Sequence, residues 1–84
     1  MKRKGLTYAR LRRLLVGLGF AEKILPEGNI VFYHAPSRTL FAFRPYTARD
    51  RVAEYDVIDV RFQLDWRGLL DAEAFNNLLR KASA

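Results

Sequence analysis

The chain has no cysteine among its 84 residues. Disulfides and thiolate metal sites are thereby excluded, and the composition fits a reducing compartment, so a cytoplasmic location is expected. Histidine occurs once, as His34, and the acids are scattered, so no metal site and no cofactor is expected. No apolar run approaches the roughly 18 residues that a membrane span needs. The MKRK start has no continuous apolar segment behind it, because Arg10, Arg12 and Arg13 interrupt, so it does not read as a signal peptide. A glycine-rich phosphate loop is also missing: GLG at 17–19 follows helical periodicity instead of a strand.

What is present suffices for one core. Half the residues are hydrophobic, and six Phe, four Tyr and one Trp supply the bulk. Disorder goes with few aromatics and low hydrophobicity, so a folded chain is expected. The length allows one domain over 1–84, beginning with a basic tail over 1–6. Charge is uneven. Residues 1–49 carry ten Lys/Arg against two acids, and residues 50–84 carry five against seven. That asymmetry suits an anionic partner on one side of the molecule.

Leu11, Leu14, Leu15 and Leu18 repeat at i, i+3, i+4 and i+7, which predicts a helix from about Thr7, as N-cap, to Leu18. Arg10, Arg13 and Gly17 fall on its opposite side. Gly19 and Phe20 read as a left-handed terminator with a ring folding back. Three antiparallel strands follow, over Ala21–Leu25, Asn29–Ala35 and Thr39–Arg44, with turns at 26–29 and 36–38. Both faces of the sheet are apolar, which predicts that helices or another chain cover both. Residues 45–56 read mainly as loop.

Ile58, Val60, Phe62 and Leu64 alternate with Val57, Asp59, Arg61 and Gln63, a strand pattern by period alone. Acids ahead of Arg61 and Arg67, the Gly68-Leu69 stop signal and Trp66 favour a helix over Tyr55–Arg67. A last helix over Ala72–Ala82 is capped by Asp71 and buries Phe75, Leu78, Leu79 and Ala82. The expected fold is α+β: a helix, a three-stranded antiparallel sheet, then one or two C-terminal helices.

That order of elements is also the order of the double-stranded RNA-binding domain. Within it, LRRLLVGLGF at 11–20 and GNIVFYHAP at 28–36 resemble the opening helix and second strand of HicA-type toxins, small basic proteins of bacterial toxin–antitoxin pairs. The resemblance covers about a quarter of the chain and implies messenger-RNA cleavage, with an antitoxin-like protein as partner. It departs from the family at the position usually held by the catalytic histidine, two residues after the glycine, where this chain has Ile30.

Cleavage through a 2′-hydroxyl needs a base and an acid within hydrogen-bond reach, and histidine suits both tasks. His34 is the candidate catalytic residue, with Tyr33 or Arg38 in support. Tyr33 and His34 are sequential on a strand and should point to opposite faces, however. Candidate RNA contacts are Lys2, Arg3, Lys4, Arg10, Arg13, Arg38, Arg44 and Arg49, with Arg51 nearby. The expectation is an RNA-associated HicA-like protein without the usual catalytic group, working as a binding module or as a divergent toxin. The alternative is a protein-interaction module or homo-oligomer using the outer sheet face. No membrane association is expected.

Overall fold

The computed structural model describes residues 6–83, apart from the side chains of 79 and 81–83. Helix α1 spans Tyr8–Gly17. Thr7 precedes it in extended conformation and its hydroxyl accepts from the Arg10 amide at 3.4 Å. Leu11 and Leu15 are fully buried, with Leu14 and Leu18 packed beside them. At the C-terminus Gly19 takes φ of 102°, which glycine tolerates without strain. The Phe20 amide then bonds to the Leu15 carbonyl and the Gly19 amide to that of Val16, and the Phe20 ring is buried.

Strands β1 (Ala21–Ile24), β2 (Ile30–His34) and β3 (Thr39–Phe43) form one antiparallel sheet in that order. Glu22, Phe32 and Phe41 stand in register, as do Lys23, Val31 and Ala42 on the opposite face. The inner face buries Ile30, Phe32, Phe41 and Phe43, whose rings meet those of Phe20, Tyr8 and Tyr46. The outer face corrects the expectation of helical cover. Tyr33, Leu40 and Ala42 are exposed and Val31 is half-buried, because the helices bury Leu11, Leu15, Val60, Leu64 and Phe75 in the single inner core.

Between β2 and β3, Ala35–Ser37 form a 3-10 turn, closed by Arg38 in the left-handed region at φ of 57°. The segment after β3 is loop through Ala53, as expected, but it is tied to the core. Val52 is buried and its amide bonds to the Leu6 carbonyl at 2.8 Å, so Leu6, read as part of a basic tail, is a core residue. Tyr8 and Ala9 donate to the carbonyls of Asp50 and Ala48, and Thr7 bridges Arg51.

Helix α2 spans Glu54–Trp66 and α3 spans Ala72–Ser83. The helical reading of 57–64 holds. Residues two apart on a helix lie about 200° apart, so a period-2 pattern marks two opposite helical faces as readily as one side of a strand. Val60 and Leu64 are fully buried, whereas Ile58 and Phe62 point outward. Gly68 (φ of 75°) ends α2 as Gly19 ends α1, with the Leu69 amide on the Leu64 carbonyl. Asp71 caps α3, accepting from the Ala74 amide at 2.8 Å. Phe75 is buried, but Leu78, read as part of the same stripe, is 39% exposed, and the side chains of Leu79 and Ala82 lie outside the described residues.

Candidate functional site

His34 ends β2 on the inner side of the sheet, opposite Thr39. The turn returns the chain so that three polar side chains meet. His34 Nδ1 lies 2.7 Å from the Ser37 hydroxyl, which lies 2.6 Å from that of Thr39. Thr39 is buried, so the chain of bonds leaves its hydroxyl satisfied. The imidazole packs on Phe20 with ring centroids 5.1 Å apart, and its Cδ2 and Nε2 edge lies beside Gly19. Arg67 reaches across from the end of α2 to donate to the Ser37 carbonyl at 3.1 Å. The cluster therefore ties β2, the turn, β3 and α2 together.

For RNA cleavage this constellation is thin. The hydrogen-bond partner of His34 is a serine hydroxyl, and hydroxyls do not shuttle protons near neutrality as a second imidazole or carboxylate would. Tyr33 faces outward in register with Leu40, away from His34. Ile30, at the position where the HicA resemblance calls for histidine, is 4% exposed and fills the core beneath the sheet. Its side chain has no path to a phosphate. Among the described residues, no three His, Asp or Glu side chains gather as metal ligands.

The arginines divide between separate regions. Arg10 and Arg13 are exposed on α1, one turn apart. The 47–52 segment is held against the start of α1 by three backbone hydrogen bonds, carrying exposed Arg49 and Arg51 to the same end. Arg38 sits at the β2–β3 turn, and Arg44, past the far end of β3, lies over the Tyr55 ring at 5.6 Å. A five-residue strand separates these two by about 20 Å, so they do not share one patch with each other. Lys2, Arg3 and Lys4 lie outside the described residues. The helix N-terminus itself offers no free phosphate cradle at Tyr8 and Ala9, whose amides are occupied by loop carbonyls.

The acids of 54–73 are the obvious alternative partners for these arginines. Among the described residues the one ion pair is Arg12–Glu22 at 2.7 Å. Sequence reasoning missed it. Glu22 also accepts from the Tyr8 hydroxyl at 2.8 Å, joining α1 to β1 over separations that no local spacing reveals. Burial, then the bond to Glu22 and its charge, push the Tyr8 hydroxyl well above the usual phenol range. Glu22 likewise raises Arg12, first through the hydrogen bond. Tyr46, read as loop, stacks on Tyr8, donates to Asp56 at 2.8 Å and accepts from the Ala53 amide at 2.9 Å. It thereby anchors the start of α2, and burial raises its pKa, with Asp56 adding to the rise.

Set against known proteins, the chain matches no family model, no curated protein and no solved structure.

Proposed function

We propose that the chain is an RNA-associated binding module of HicA-like descent that lacks the nuclease chemistry of that family. The observation that carries this reading is the grouping of Arg10 and Arg13 on α1 with Arg49 and Arg51 on the segment clasped to it. None of the four is engaged in an ion pair among the described residues. Cations on two rigidly joined segments lose little freedom when they meet phosphates. The order of elements, with a leucine-striped helix laid on a three-stranded meander, also suits this descent. A core isoleucine at the expected catalytic position supports a binding role over cleavage.

The test is RNA titration at two salt concentrations. Four phosphate contacts give a log–log slope of about −3 to −4. Arg10→Glu with Arg13→Glu should flatten that slope by about 2 without altering the fold, since both side chains are exposed. Absence of RNA binding at low salt rules the module out. In an induced-expression growth assay, His34→Ala should leave the phenotype of the native chain unchanged.

A second reading rests on the uncovered sheet face, where Tyr33 and Leu40 are exposed beside Ala42 and Val31. That face suits an antitoxin-like partner or a second copy. Light scattering behind size exclusion separates them: a strict monomer at high concentration removes the homo-oligomer.

A further inference from the structure

Helix α2 carries a second apolar stripe that the core does not use. Tyr55, Ile58, Phe62 and Trp66 follow one another at spacings of 3, 4 and 4. They lie opposite Val57, Val60 and Leu64 on the helix. Their exposures are 60%, 48%, 59% and 71%, so the stripe faces outward along about 16 Å of helix. Such a run on a small protein exposes on the order of 500 Å² of mainly aromatic surface. With a partner's matching area this reaches roughly the 1,000 Å² at which transient interfaces begin.

Its rim is acidic. Glu54, Asp59 and Asp65 are exposed and stand one helical turn from members of the stripe, whereas Arg61, the single base of α2, turns aside to Asn76 of α3 at 3.1 Å. A chain of net charge +6 thus presents one aromatic surface edged by three acids, with Arg44 over the Tyr55 ring at one end. That charge selects the occupant. Nucleic acid and anionic bilayers are repelled. A second copy seated on the same stripe in antiparallel fashion sets Asp59 against its own counterpart. A helix with an apolar seam and lysine or arginine flanks has its charges matched on both sides. Its cations also find aromatic faces, as Arg44 already does on Tyr55.

We propose that this outward stripe of α2 is a docking site for a cationic amphipathic helix of another protein. The inference is independent of the RNA reading, which concerns the opposite charge on α1. Trp66, the only tryptophan, lies within the stripe and reports on it directly. The probe is a synthetic 14-residue helical peptide with leucines at i, i+3, i+7 and i+10 and lysines flanking them. Its control has glutamates in place of the lysines. Titrated into the full chain at low salt, the lysine peptide should shift Trp66 emission to the blue saturably, and the glutamate peptide should not.

Phe62→Asp should weaken the lysine peptide at least tenfold, with far-ultraviolet dichroism unchanged. Asp59→Lys with Asp65→Lys should transfer the preference to the glutamate peptide, a gain that a misfolded protein does not show. Four outcomes overturn the proposal. They are no response to the lysine peptide, an equal response to both peptides, a blue shift produced by raising protein concentration alone, and a blue shift produced by phosphatidylglycerol vesicles.

Discussion

Helices α1 and α2 end alike, each with a glycine at positive φ and an apolar residue folding back onto the preceding turn. Across their width they differ. Opposite its leucine stripe α1 carries Arg10 and Arg13, so one face packs and the other is hydrated. Opposite its own buried stripe α2 carries Ile58, Phe62 and Trp66 between exposed acids. Burial inside the domain therefore explains the hydrophobic pattern of α1 apart from Val16, and that of α2 only by half. The unexplained half is where a surface role is to be sought.

The sharpest way to break this contrast is to truncate the two sides of α2. Leu64→Ala should cost about 2–5 kcal/mol in denaturant unfolding, because the side chain is fully buried and leaves a cavity. Phe62→Ala, two residues away and the larger deletion, should stay within about 0.5 kcal/mol. Equal losses at both positions would mean that the stripe belongs to the core.

The shared terminator can be tested in α1. Gly19→Ala forces an alanine into φ of 102° with its Cβ 3.4 Å from the His34 ring, and should destabilise by about 1–2 kcal/mol. Gly17→Ala, inside the helix with nothing within 4 Å of the new methyl, should instead stabilise by about 0.4–1 kcal/mol. Thermal melts of the two variants on either side of the parent check the opposite signs. At the start of α3, Asp71→Ala removes the bond to the Ala74 amide and should cost about 1 kcal/mol.

The smallest effect is a pH dependence confined to alkaline solution. Tyr8 holds its proton more tightly folded than unfolded, so the stability linked to it is complete below its ordinary pKa of 10.0 and declines as pH rises beyond that value. Tyr46 acts in the same direction. Denaturant unfolding at pH 8 and pH 11 should show a steeper alkaline loss in the native chain than in Tyr8→Phe. Identical losses would remove the phenol from the linkage.

Most of the fold was legible from local rules. The leucine periodicity, the Gly19-Phe20 and Gly68-Leu69 signals and the Asp71 cap all mark elements within a residue or two of their observed ends. What escaped depends on partners distant in sequence. The Tyr8–Glu22–Arg12 cluster, the stacking of Tyr46 on Tyr8, and the burial of Leu6 and Val52 have no local signature. Helical cover of the outer sheet face was misjudged because apolar content alone does not say how many layers a chain of this length can build. The meeting of His34 with Ser37 and Thr39 also required the turn geometry, since the serine reads alone as an ordinary loop residue.

The clasp between the residues around Thr7 and the 48–52 segment has a kinetic consequence. It closes a chain loop of more than 40 residues, whereas each β-hairpin joins near neighbours. Loop closure of that length carries a larger entropic cost, which places the clasp late in folding, after the meander has formed. Amide deuteration should accordingly reach Tyr8, Ala9 and Val52 before it reaches Phe32 and its strand neighbours.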